Sequence, residues 1–224
     1  MTKNQNENIP SYIKEFYSWL YLNPKVYNLL DNAIVPNILT LGYHYILSKE
    51  IKKEIAPHAQ VLQIGATTGS QIKKAYSAIG MLGSYTVIDA VPELIERKQK
   101  KHTNQHITFT CANATDKIKD KYDVIICHLL LHELPPYTRN QVLNNIIKAL
   151  KPGGKAIFID YHLPEPYHPL KYIIRAVNRL YQPFAESLWK KSIKELTPNA
   201  ESCTWSLQTY FGGVYQKVVA TKSK

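Results

Sequence analysis

The chain has little sulfur chemistry to offer. Its three cysteines, Cys111, Cys127 and Cys203, are widely separated, odd in number and form no C-x-x-C pair. That argues against a disulfide framework and a zinc knuckle, and favours a reducing, cytoplasmic setting. Long apolar runs are missing too. Nothing approaches the roughly 18 consecutive apolar residues of a membrane span, and the opening MTKNQNENIP has no signal-peptide core. There is no internal repeat or low-complexity stretch. Acids are scarce: seventeen Asp and Glu stand against twenty-eight Lys and Arg, a net charge of +11. Nucleic acid, an anionic membrane surface, an anionic small substrate or a plain solvated basic surface would each accommodate that excess. Sixteen tyrosines and three tryptophans tilt the balance toward a membrane surface, because amphipathic rings favour the headgroup layer.

What is present reads as one α/β domain with an accessory region. The 224 residues are 45% apolar and 20% charged, ordinary for a globular chain. Residues 11–55 look helical and form an N-terminal extension, 1–55. Tyr12, Phe16, Trp19 and Leu20 share one face of a first helix that Pro24 ends or kinks. A second helical stretch starts near Asp31 or Pro36, carries Ile38, Leu41, Tyr45 and Ile46, and closes at Pro57. From residue 56 to 224, strands are expected near 59–64, 84–89, 106–111, 122–128 and 155–161, with helices near 70–79, 92–101 and 136–150. Short linkers and β-branched runs such as Val124-Ile125-Ile126 argue for a parallel sheet covered on both faces. Lys151-Pro152-Gly153-Gly154 reads as a helix stop and turn. In an insertion over 162–195, facing substrate or membrane, Leu170, Ile173, Ile174, Val177 and Tyr181 line one face of a helix opposite Lys171, Arg175, Asn178 and Arg179. TWSLQTYF and VYQKVVATK around Gly212-Gly213 form a C-terminal hairpin.

The first strand leads into VLQIGATTGSQ at 61–71, a small-residue turn before a helix. Such a turn presents backbone N–H groups to a nucleotide. With Asp89 in TVIDAVPELIE, Asn113-Ala114 in TFTCANATD, YDVIICHLLLHEL and KPGGKAIFID, it resembles the class I S-adenosylmethionine (SAM)-dependent methyltransferases over residues 55–222. The resemblance implies a Rossmann-like, mostly parallel seven-stranded sheet with a C-terminal antiparallel hairpin. It also implies that Gly65, Ala66, Thr67 and Gly69 approach SAM, that Asp89 holds its ribose and that Asn113-Ala114 lie beside its adenine; Ala90 and His128 complete the cofactor set. In the common version of this motif, an acid stands where this chain has Gln63 and a glycine where it has Thr67.

A narrower resemblance is carried by DYHLPEPYHPLKYIIRAVNRLYQPFAESLWKK, QTYFGGVYQKVV and SWLYLNPKVYNLLD. These are similar to the rhodoquinone biosynthesis methyltransferase-like proteins. That family replaces a methoxy group of ubiquinone with an amino group taken from SAM, assisted by a divalent metal such as manganese. On this view Gln63 leaves the SAM amine free to lose its proton, where an acid would keep it charged; the competing view is an amide that simply replaces the acid. His132 follows strand four, and Asp160, Tyr161 and His162 end strand five, so these four join Gln63 and Tyr21 as catalytic candidates. Asp160 and His162, two apart in extended chain, point the same way and with His132 form a candidate metal set, or else serve as structural hydrogen-bonders. Tyr17, Tyr21 and Tyr215 wall a flat quinone or fill a core. Ubiquinone is then the partner, with peripheral contact to an anionic membrane. Nucleic acid is not expected, because HLLLHELPPY lacks an N/D-P-P-Y/F target-base motif. A conventional quinone or small-molecule methyltransferase, or a non-catalytic SAM-binding module, is the alternative.

Overall fold

A computed structural model describes residues 9–32 and 34–224; all but the last two residues of the polar opening segment lie outside them. The chain divides into two compact units, the first ending at Asp116 and the second spanning Lys117–Lys224.

The first unit begins with helices α1 (Ser11–Phe16), α2 (Ser18–Tyr21), α3 (Pro24–Leu30), α4 (Val35–Leu39) and α5 (Tyr43–Glu54). These are shorter pieces than the two stretches read from sequence. Pro24 does not end a helix but starts α3: it occupies the first turn, where its missing N–H costs nothing, and the Asn23 side chain caps the amides of Lys25 and Val26. The expected apolar faces also differ. Ile13, Tyr17, Leu20 and Tyr27 are buried, whereas Phe16, Trp19, Ile38, Leu41, Tyr45 and Ile46 are exposed. Breaks at Tyr17, Leu22 and Gly42 reset the helical phase, so a periodicity counted across them selects the wrong face.

Strands β1 (Gln60–Ile64), β2 (Ser84–Asp89) and β3 (Ile107–Cys111) follow, in the parallel order β3-β2-β1 with Gln63 opposite Val87 and Asp89 opposite Cys111. Helix α6 (Gln71–Ile79) buries Ile72, Ala75 and Ile79 at helical spacing, and α7 (Pro92–Lys101) buries Leu94, Ile95 and Lys98. Parallel connection by helices sends every strand's C-terminal end to one side, where ligands bind in folds of this kind.

The second unit contains β4 (Tyr122–His128), α8 (Pro136–Ala149), β5 (Leu150–Tyr161), α9 (Lys171–Tyr181), α10 (Ala185–Leu188), α11 (Ile193–Leu196), β6 (Cys203–Tyr210) and β7 (Tyr215–Lys222). Its order is β4-β5-β7-β6, with β4 and β5 parallel and β7 antiparallel to both neighbours. The Lys151–Gly154 turn is absorbed into β5 as an irregularity: the register jumps from Tyr122 opposite Leu150 to Val124 opposite Lys155. Gly153 there takes φ +74°, a left-handed value that favours glycine. Helix α9 departs furthest from expectation. Its one buried residue is the polar Asn178, while Ile173, Val177 and Tyr181 of the expected core stripe are exposed. Among the described residues no helix is long and apolar enough to cross a membrane.

Candidate functional site

In the first unit, the loop after β1 is organised by polar groups that sequence inspection does not connect. Gln63 is fully buried. Its amide nitrogen donates to Gly65 O and Thr67 Oγ1, each at 3.1 Å, and its carbonyl accepts the Tyr85 hydroxyl. The Thr67 hydroxyl donates onward to Gln71 Oε1 at 3.0 Å. Burial pushes the Tyr85 phenol well up, so the network is neutral throughout. A carboxylate at position 63 would have no hydrogen to give Gly65 O. The glutamine therefore has a local reason to be there: it ties the strand end to the turn.

Gly65 and Gly69 take φ +89° and +76°, left-handed values that lay the backbone open at the turn. A Cβ on Gly69 would sit 2.6 Å from His44 Nε2. Asp89, at the end of β2, accepts the amides of Ala66 at 2.7 Å and Val91 at 2.9 Å on separate oxygens, spanning Ala90. Burial pushes this carboxyl up, opposed by those amides and by Lys98. The Ala90 amide is a third backbone donor to this carboxyl. Asn113 Oδ1 accepts the Thr115 amide at 3.0 Å, turning the chain at Asn113-Ala114 after β3. Tyr21 lies in the same unit with its ring 6.2 Å from that of Tyr17, which is completely buried and belongs to the core.

The sequence reading missed the clamp on this loop. Asp31, just past α3, accepts Gly69 N at 3.2 Å and Lys98 Nζ at 2.5 Å, and pairs with Lys101 at 3.0 Å. Lys98 also donates to Thr67 O, and Tyr27 donates to Ala66 O at 3.3 Å. Burial lowers Lys98 to about 8, although Asp31 opposes the shift. The same effect, with Lys74 and Lys98 nearby, lowers His44 to about 4. One signal was available: Lys98 stands four after Leu94 and three after Ile95, in phase with the apolar stripe of α7.

In the second unit, His128 ends β4 in a buried position. Leu129 then takes φ +50°, strained for a leucine, and a 3-10 turn follows at Leu131–Glu133. That turn aims the amides of Leu131 (2.8 Å) and His132 (3.4 Å) at Asp160 Oδ2, while His132 Nδ1 lies 2.7 Å from Oδ1, which also accepts the Tyr161 amide at 2.7 Å. Burial alone would pull the His132 imidazole down, but the Asp160 carboxylate, with help from Glu133 and against Arg139, holds it above its ordinary value. Glu133 Oε1 is 3.9 Å from His132 Nε2. Tyr161 packs edge-on against His132 (centroids 4.5 Å apart) and stacks on Tyr215 (5.6 Å). Buried Arg139 braces the turn through Leu131 O, Leu134 O and Phe184 O.

The expected metal set is not brought together. Asp160 already receives four donors, and His162 turns away, with Nδ1 3.1 Å from Gly213 O and its amide on Val214 O. His168 Nδ1 accepts the Leu170 amide at 3.2 Å. The two-residue alternation that would align Asp160 with His162 fails because β5 ends at Tyr161. Among the described residues no cluster of three His, Cys, Asp or Glu side chains is arranged to hold a metal ion. The residues present do not fit the manganese site.

Residues 61–154 match a family model described as a methyltransferase domain. The N-methyltransferase NodS from Bradyrhizobium japonicum WM9, in complex with S-adenosyl-l-homocysteine, superposes with a TM-score of 0.64 at 16% identity, covering 97% of this chain and all of that one. The plantazolicin methyltransferase BpumL, also in complex with SAH, gives 0.68 at 15% identity over 98% and 99% of the two chains. Residues 61–154 are thus similar to a methyltransferase domain, and the fold is one that these solved methyltransferases share. It is a Rossmann-like methyltransferase fold, a mixed seven-stranded sheet with C-terminal antiparallel strands and N-terminal helices. Among curated sequences, a polyketide synthase-nonribosomal peptide synthetase of Aspergillus flavipes is 29% identical over 144 residues, 59% of this chain and 4% of that protein. The chain spans only 3 to 5% of the length of such relatives. The narrower likeness to the rhodoquinone biosynthesis proteins is not carried by these matches.

Proposed function

We propose that this protein binds SAM and transfers its methyl group to an oxygen or nitrogen of a small-molecule acceptor, with a quinol among the candidates. The observation that carries this reading is the buried His132–Asp160 pair at the C-terminal ends of β4 and β5. Bound SAM supplies an electrophilic sulfonium methyl group. Asp160 holds the imidazole by Nδ1, which leaves Nε2 as the position that takes the acceptor's proton. The raised imidazole value suits a base: it makes proton abstraction more favourable, and activity falls as pH drops through that value. The turn at Gly65–Gly69 and the Asp89 carboxyl would hold the cofactor.

Amino transfer to ubiquinone is the second reading; it rests on the likeness of the N- and C-terminal segments, with Gln63 as its chemical rationale. That amide is engaged by Gly65, Thr67 and Tyr85, so its chemistry is accounted for without a substrate amine. SAM labelled with carbon-13 in the methyl group and nitrogen-15 in the amine distinguishes the two, with quinols, phenols, amines and ubiquinone as acceptors and mass analysis of the products. Methyl carbon in the product is the expected result. Nitrogen-15 in the quinone would overturn the methyl-transfer reading, and binding of S-adenosylhomocysteine without any product would favour a non-catalytic module.

A further inference from the structure

Helix α9 is amphipathic, yet it turns its apolar side outward. Tyr172, Ile173, Val177 and Leu180 are 79%, 61%, 48% and 76% exposed, whereas the polar Asn178 on the opposite side is buried. An apolar stripe of this strength normally seeks a core. Arg175 and Arg179 flank the stripe and share a single acid, Glu186, at 3.1 and 2.9 Å from their Nε atoms. One carboxylate against two guanidiniums leaves a net positive border with free capacity at the Nη groups. The surrounding segment 162–195 keeps that sign, with six Lys and Arg against three Asp and Glu. The connection leading into α9 also exposes Leu163 and Tyr167.

We propose that α9 is an interfacial helix that docks the protein on an anionic bilayer surface. Its apolar side enters the boundary between headgroups and acyl chains, and Arg175 and Arg179 meet lipid phosphates at its border. Charge complementarity selects this occupant. A second copy of the chain would bring the same positive border against itself, whereas an anionic bilayer supplies the opposite sign along the helix. Tyr172 is amphipathic and suits the headgroup layer.

The test is flotation of the full chain with phosphatidylcholine vesicles, with and without phosphatidylglycerol. The protein is expected to float with the anionic vesicles and to stay behind with the neutral ones. Ile173→Asp/Leu180→Asp abolishes flotation, and Arg175→Gln/Arg179→Gln weakens partitioning about 25-fold, about fivefold per arginine. Both variants change exposed positions and should keep the wild-type melting temperature, which checks that they fold. Wild type that stays behind with anionic vesicles, or an aspartate variant that folds and floats as well as wild type, overturns the proposal. So does light scattering that finds a dimer which Leu180→Asp dissolves, since α9 is then covered by its own copy.

Discussion

Each unit buries a basic side chain at the C-terminal end of its parallel strands, and the two respond in opposite ways. Lys98 in the first unit is lowered to about 8, whereas His132 in the second is held above its ordinary value. Both are almost fully buried, so burial does not explain the contrast. The local charge balance does. Asp31 is the carboxylate paired with Lys98, but it is shared with Lys101 and the Gly69 amide, and Asp89 adds only the smallest of the effects on Lys98. His132 is one imidazole facing two carboxylates, Asp160 and Glu133. Desolvation disfavours charge in both places, but only the second site repays it. The first arrangement suits holding a backbone loop, and the second suits accepting a proton.

The largest test of this comparison is Asp160→Ala. It strips His132 of its partner and leaves two buried amides without an acceptor, and should cost about 3–5 kcal/mol in denaturant unfolding. A loss below about 1 kcal/mol, as for an exposed pair, would mean that the second site is not the more tightly coupled one. His132→Gln should lower methyl transfer by about 10²- to 10⁴-fold while calorimetry finds unchanged affinity for S-adenosylhomocysteine. Equal losses in binding and turnover would make His132 part of the cofactor site instead.

Gln63→Glu probes the neutral network of the first unit. Losing the donors to Gly65 and Thr67 should destabilise by about 1–3 kcal/mol, read from the urea midpoint at neutral pH. A neutral outcome would show that the loop does not depend on the amide. The pH dependence of stability should then run in opposite directions. The His132 contribution is complete below the ordinary imidazole value of about 6.5 and is lost as pH rises through the higher folded value. Lys98 acts in reverse: between about 8 and its ordinary 10.5, the unfolded chain binds more protons, so stability gains with pH. Denaturant midpoints of wild type against His132→Gln and against Lys98→Met, measured across pH, should therefore diverge with opposite slopes. The smallest effect is expected for Lys101→Gln, which removes the second ammonium beside Asp31. It should raise the Lys98 value and change stability by no more than about 0.5 kcal/mol.

Much of the architecture was legible in local pattern. The strands at 84–89 and 122–128 and the helix at 92–101 fall where expected, because β-branched runs and an amphipathic stretch opened by a proline carry their own periodicity. The N-terminal helices were not, since each break shifts the phase of the next piece. Asp89, Gln63, His132 and Asp160 could be singled out by motif position. Their partners could not, because hydrogen bonds such as Tyr85 to Gln63 and Asp31 to Gly69 join residues 22 and 38 positions apart.

By itself the sequence determined the α/β order of elements, the altered turn at 61–71 and the amphipathic character of α9. Those are properties of neighbouring residues and of spacing. Only the tertiary structure decided that Gln63 is absorbed into a neutral network, that Asp160 serves His132 and not a metal, and that the apolar side of α9 points outward. Each of these depends on which donors, acceptors and apolar surfaces the fold brings within a few ångströms of one another, and spacing along the chain does not encode that.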